Sequence, residues 1–322
     1  MTEAAVPARD DNIVVPFQLE SQRVRGRLVR LGSVADDILK RHDYPAPVGE
    51  LLGETLALTT LLASALKYDG IFTLQTKSDG PVRLLVADVT SDGNLRGYAQ
   101  VDRERIAQIM SGPPESPVAR LLGAGYLAFT VDQGQHAERY QGIVELIGAR
   151  LADCAAHYFR QSEQLETSIV LAAGRTSDGA PGAGGVWRAS GLMLQRMPKA
   201  QNDFDAGWDI DADKDEDDWR RANAFLASVR GSELLDANLS ADRLLFRLFH
   251  EDGVRVFERR PVVDRCRCSR DRAEGALRML TAQELVEMTI DDKIVVTCQF
   301  CSRDQVFDEA DLKAIEASRA KN

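Results

Sequence analysis

Four of the five cysteines lie in the last fifth of the 322-residue chain as two tight pairs, Cys266-Arg267-Cys268 and Cys298-Gln299-Phe300-Cys301, with 29 residues between them. No other feature constrains the fold as much. Thiolate sulfurs are soft ligands suited to a tetrahedral cation, and two short chelating pairs joined by a loop lose less entropy on ordering than four scattered ligands. No histidine follows His250, so Cys266, Cys268, Cys298 and Cys301 read as one all-sulfur Zn2+ site. The segment around it, Arg265 to Asn322, has only 58 residues, a size at which an apolar core alone gives a marginal fold. The sequence predicts a helix from Ala273 to Leu280, a helix opened by the capping box Thr281-Ala282-Gln283-Glu284, a hairpin carrying Cys298 and Cys301, and a last helix from Asp308. Structural zinc contributes roughly 10–16 kcal/mol of apparent binding energy, against about 5–15 kcal/mol for a whole domain. Metal loss is therefore expected to unfold the tail, and the same four sulfurs are oxidisable.

The rest of the chain is long enough for one large domain, and 44% hydrophobic residues supply a core. No apolar run is read as reaching the roughly 20 residues that span a bilayer, so no membrane association is expected. Asp10 and Asp11 stand where a signal peptide would be apolar, which points to the cytoplasm. There, clustered cysteines more often bind metal or act in redox chemistry than form structural disulfides. A net charge of −10 argues against general nucleic-acid binding. Between Asp203 and Asp218 nine acidic residues face a single Lys214, which places eight of the ten net negative charges in one stretch. Self-repulsion predicts an open, solvated segment there.

Before that segment the pattern is that of an α+β domain with a mostly antiparallel sheet. The leucine-rich run from Pro47 to Tyr68 is a buried helix stopped at Asp69-Gly70. Ile71–Gln75, Val82–Val86 and Leu95–Val101, punctuated by Asp79-Gly80 and Asp92-Gly93, form a meander. Tyr126–Val131 and Tyr140–Ile147 make another strand pair, a helix runs from Arg150 to Gln164, and Ser168–Ala173 and Gly191–Met197 are further strands. After the acidic run, Trp219, Ala222, Phe225, Leu226 and Val229 share one helix face; Ser240 caps a second helix with Leu244, Leu245, Leu248 and Phe249. These helices are free, on sequence grounds, to pack on the first domain or to come away from it.

Other motifs carry less. The glycine-rich loop Gly174 to Gly185 lacks the Lys-Ser/Thr of a phosphate loop and reads as a flexible hairpin connection. Asp205 to Glu216 has the acidity of a calcium loop, but Ile210 stands where the turn needs glycine. His136-Ala137-Glu138 with Cys298-x-x-Cys301 is only faintly deaminase-like, since Thr297 replaces the expected proline. Cys154, in a helix beside Leu151 and Ala155, reads as a buried inert thiol.

The paired Cys-x-Cys and Cys-x-x-Cys, together with His42-Asp43-Tyr44-Pro45, Leu66-Lys67-Tyr68-Asp69-Gly70, Glu138-Arg139-Tyr140-Gln141-Gly142 and Tyr158-Phe159-Arg160-Gln161-Ser162-Glu163-Gln164-Leu165, resemble segments of the redox-regulated thirty-three-kilodalton heat-shock chaperones of bacteria. The resemblance implies a non-enzymatic, ATP-independent holdase whose partners are unfolding client proteins and which forms a homodimer when oxidised. It implies that Cys266, Cys268, Cys298 and Cys301 bind one Zn2+ when reduced and pair as sequence neighbours into two disulfides under oxidative stress. Three parts are expected: a core domain over 1–198, an acidic helical linker over 199–264, and a zinc module over 265–322. Trp219, Phe225, Leu244, Leu245, Leu248 and Phe249 are the candidate client-binding or gating faces. Arg265, Arg267 and Arg270 are either a source of positive potential at the thiolates or solvated surface. Two other classes fit the cysteines, a thiol-disulfide oxidoreductase using Cys298 and Cys301 and a zinc-ribbon nucleic-acid binder using the nearby arginines.

Overall fold

The computed structural model describes residues 10–20, 23–110, 118–134, 140–177, 185–198 and 212–319. The chain divides into two compact units, Met1–Asp264 and Arg265–Asn322.

The first unit begins with strands β1 (Ile13–Leu19) and β2 (Val24–Leu31), the short helix α1 (Ser33–Leu39) and the long helix α2 (Ala46–Ala65). A meander follows, β3 (Ile71–Ser78), β4 (Val82–Thr90) and β5 (Asn94–Val101), then α3 (Arg103–Met110), β6 (Gly125–Asp132), β7 (Tyr140–Glu145) and α4 (Leu151–Ser162). Strands β8 (Thr167–Thr176) and β9 (Val186–Arg196) lead to helices α5 (Ala212–Ala227), α6 (Gly231–Leu235) and α7 (Ala241–Phe249). Three short strands close the unit: β10 (Val254–Val256), β11 (Arg260–Pro261) and β12 (Val263–Asp264).

Two six-stranded sheets result. One runs β10-β1-β2-β9-β8, with β11 also on β1; the other runs β12-β5-β4-β3-β6-β7. Pairing is antiparallel except that β12 lies parallel to β5, which is the mostly antiparallel α+β fold expected. Helix α2 touches strands of both sheets, and Leu52, Leu56, Leu58 and Leu61 have no exposed surface. Buried Thr55, Thr59 and Thr60 return their hydroxyls to carbonyls one turn back, at 2.7, 2.7 and 2.8 Å, so these three hydroxyls sit in the core paired. By length and composition α2 would also suit a membrane span, contrary to the sequence reading, but 78% of that stretch is buried inside the fold.

The first sheet is covered on both faces, as the period of two allows. Val14, Val29, Leu31 and Met193 join the α2 core, while Val15, Phe17, Leu19, Leu28, Leu192 and Leu194 point into a second core.

Several expectations need correction. Helix α2 ends at Ala65, not Tyr68, and Gly70 serves the next strand: its φ is +146°, and a Cβ there would meet the Asp132 carbonyl oxygen at 2.1 Å. Strands β1 and β2 and helix α3 were not anticipated. Strand β8 runs on to Thr176 through Gly174, shortening the glycine loop, whose residues 178–184 lie outside the described set. The acidic segment is not open along its whole length. Residues 203–211 lie outside the described set, but Asp215 to Asp218 belong to α5, where Arg196 on β9 pairs with Asp215 at 2.6 Å and Glu216 at 2.8 Å.

The second unit contains α8 (Arg270–Arg278), α9 (Ala282–Met288), the hairpin β13 (Ile294–Thr297) and β14 (Asp304–Phe307), and α10 (Glu309–Arg319), in the predicted order. The capping box forms as predicted, the Thr281 N–H donating to Glu284 Oε2 at 2.6 Å and the Glu284 N–H to Thr281 Oγ1 at 3.2 Å. Its core is small: among the described residues, Leu277, Leu285, Ile294, Phe307 and Ile315 are the buried apolar ones.

Candidate metal centre and the covered helical face

Cys266 and Cys268 sit in the extended chain leading into α8, three residues and one residue before its N-cap. Ser269 supplies that cap, its hydroxyl accepting the Arg272 N–H at 3.3 Å. Helix N-termini favour negative charge, so this placement suits thiolates. Cys298 to Cys301 form the turn between β13 and β14. The Cys298 N–H donates to the Arg303 carbonyl at 2.9 Å and the Ser302 N–H to the Cys298 carbonyl at 2.8 Å, with Ser302 left-handed at φ +55°. The tight turn points both sulfurs the same way.

The four Sγ atoms lie within 4.8 Å of one another. Cys266 to Cys298 is 3.7 Å and Cys268 to Cys301 is 3.4 Å. Four sulfurs each about 2.3 Å from one tetrahedral cation would be about 3.8 Å apart, so the set fits a single ion. Burial and neighbouring sulfurs push the Cys268 thiol up to about 12 and raise Cys301 as well. All four sequence-predicted ligands are thus brought to one point. Arg270 is otherwise engaged: it pairs with Asp311 at 2.5 Å, donates to the Val306 carbonyl at 2.6 Å and lies 4.4 Å from the Phe307 ring centroid. Its role is to tie α8 to α10 and β14.

In the first unit the second group of candidate residues also comes together. Trp219, Leu244, Leu245, Leu248 and Phe249 are buried and Phe225 is half-buried, all packed on the first sheet. Phe249 stacks on Phe17 with centroids 5.6 Å apart and meets Phe225 edge-on at 6.4 Å. Charged contacts reinforce the cover. Buried Arg30 donates to the carbonyls of Asp236 and Leu239, Arg221 pairs with Asp252, and the Ala241 N–H at the start of α7 donates to Asp10 Oδ2 at 2.8 Å. Sequence reasoning missed these, because each joins positions remote in the chain and none has a local signature. Cys154 is fully buried, its thiol donating to the Ile147 carbonyl at 3.3 Å and pushed up to about 11 by burial. It is not one of the four clustered cysteines.

The Hsp33 protein family profile matches residues 12–308. The chain belongs to the Hsp33 family. A relative named 33 kDa chaperonin from Caulobacter vibrioides is 42% identical over 294 residues, covering 91% of this chain and 93% of the relative. Another, from Pseudomonas fluorescens, is 36% identical over 314 residues, with 96% and 94% covered. The crystal structure of the Hsp33 homolog of Thermotoga maritima has the same fold, with a TM-score of 0.75 at 23% identity over 97% of this chain and 100% of that one.

Proposed function

We propose that the protein is an ATP-independent chaperone of the reducing cytoplasm, a holdase that binds unfolding proteins and is switched on by oxidation. The observation that carries this reading is the meeting of Cys266, Cys268, Cys298 and Cys301 within 4.8 Å in a unit whose apolar core, among the described residues, is five side chains. Family membership and the names of the relatives support the chaperone part.

In the reduced chain the four cysteines hold one Zn2+, which supplies the positive charge that keeps the sulfurs deprotonated and nucleophilic. Oxidation joins Cys266 to Cys268 and Cys298 to Cys301. For each disulfide, two thiolates lose two electrons to one hydrogen peroxide, which takes up two protons and leaves as two waters. Disulfide sulfurs have no thiolate lone pair to offer, so the oxidised tail cannot retain the ion and cannot stay folded on its small core. In this reading residues 199–264 are a redox-responsive linker between the core, 1–198, and the zinc module, 265–322. Loss of the tail's structure loosens α5 and α7, exposing the Trp219, Phe225, Leu244, Leu245, Leu248 and Phe249 faces and the sheet beneath them to clients. The oxidised form acts as a homodimer.

Peptide mapping after peroxide treatment tests the switch chemistry. The expected product carries Cys266–Cys268 and Cys298–Cys301 links with Cys154 still reduced. Only Cys298–Cys301 oxidised, with turnover of insulin disulfides under dithiothreitol, would favour an oxidoreductase instead.

A further inference from the structure

Three of the sequence stretches quoted above converge on one cavity that the switch does not use. The cavity, of about 340 Å3, takes its walls from both sheets, the end of α2 and α4, at the small end of the range for ligand sites. One wall is a continuous run of rings. Tyr68 to Phe72 is 6.5 Å between centroids, Phe72 to Phe129 is 6.4 Å, Phe129 to Tyr158 is 4.8 Å and Tyr158 to Phe159 is 5.6 Å. The hydroxyl of Tyr158 is satisfied by Glu163 Oε1 at 3.0 Å and by Tyr140, so the wall offers apolar faces.

The lining also includes a polar pair that is incompletely paired. Gln195 on β9 is 1% exposed; its Nε2 donates to Thr167 Oγ1 at 3.3 Å, while its Oε1 is buried with no partner. Arg25 stands directly across from it on β2, and its buried Nε–H is also without a partner. Buried donors and acceptors left unpaired are costly and call for an occupant. An acceptor and a donor side by side match the N–H and C=O of one amide, and the rings match an aromatic side chain.

We propose that this cavity is a binding subsite for one aromatic residue of an extended polypeptide, the ring against Phe72, Phe129 and Tyr158 and the peptide group on Arg25 and Gln195. Its amide chemistry stands on the cavity alone; only the identification of the donor as an unfolding client rests on the chaperone reading.

The probe is N-acetyl-phenylalaninamide, titrated into the full-length reduced, zinc-loaded protein and followed by 1H–15N NMR, with toluene as a ring lacking the amide. Saturable shifts centred on the Gln195 side-chain amide and on β3 and β9 are expected. Gln195→Met should weaken the amide probe about tenfold, the loss of one buried hydrogen bond, and leave toluene binding unchanged. Leu66→Trp, at a mouth position that is 40% exposed and outside the core, should block both probes without unfolding the chain. Absence of saturable shifts, shifts elsewhere, or equal affinity in Gln195→Met overturns the subsite. In an aggregation assay of the oxidised protein, Leu66→Trp should lower client protection; unchanged protection overturns the assignment to clients. A wild-type protein that protects no client in either redox state would sink the chaperone reading while leaving the amide titration intact.

Discussion

Glu54 is half-buried on α2, and burial pushes its carboxyl up from 4.5 to about 7, with Glu50 and Asp153 adding to the shift and Arg150 opposing it. A raised carboxyl favours the folded state when protonated, so its contribution is full below about pH 4.5 and is lost as pH rises towards 7. Urea titrations should show stability falling by up to about 3 kcal/mol across that window, and Glu54→Gln should flatten the profile and leave the protein more stable at pH 8. A second prediction concerns the sulfurs. Cys268→Ser should lower zinc affinity by more than the roughly 10–100-fold that losing an outer-shell partner brings, measured by chelator competition, while Cys154→Ser leaves metal content unchanged. At this scale the meeting of the four sulfurs and the burial of Cys154 were legible, because cysteine spacing is a local signal and Cys154 sits on an apolar helix face. The Arg196 pairs with Asp215 and Glu216 were not. Counting charges along the sequence predicts repulsion and cannot show an arginine arriving from another strand.

Helices α5 and α7 were legible as amphipathic, and the structure settles what they cover. Leu244 and Leu245 have no exposed surface and Leu248 has 3%; burying such a side chain contributes about 1.5–3 kcal/mol. Replacing all three with serine should detach α7 and give aggregation suppression without peroxide; a triple variant that still requires peroxide counts against the gate. A subtler lever lies under the helix. A Cβ on Gly26 would meet the Phe17 ring at 2.1 Å, and Phe17 supports Phe249, so Gly26→Ala should loosen α7 and lower the concentration of peroxide needed. Strands β1 and β2 escaped the sequence reading because Pro16 interrupts the first, while Gly26 and the adjacent apolar pair Leu28-Val29 break the alternation of the second. Two of the β2 arginines find tertiary acceptors, Arg27 at the Ser64 carbonyl, 3.0 Å away, and Arg30 at the Asp236 and Leu239 carbonyls. The end of α2 was misplaced because glycine was taken as a helix stop, when Gly70 instead admits the close approach of the Asp132 backbone.

The two units differ in what holds them together. Met1–Asp264 has two extensive apolar cores, whereas Arg265–Asn322 has, among its described residues, five buried apolar side chains and the sulfur cluster. Chelation of the reduced protein should therefore abolish amide protection in α8, α9 and α10 and leave that of α2 and the central strands in place, as read by hydrogen-exchange mass spectrometry. Protection lost throughout at the same rate would mean that the chain unfolds as one body. The central claim is that the state of four sulfurs decides whether the molecule binds clients. Its most direct test follows zinc release with a chromogenic chelator while recording suppression of citrate synthase aggregation in the same sample, with and without peroxide. One zinc per chain should be released, with protection rising on the same time course; equal protection by the reduced, fully metal-loaded protein would contradict the account.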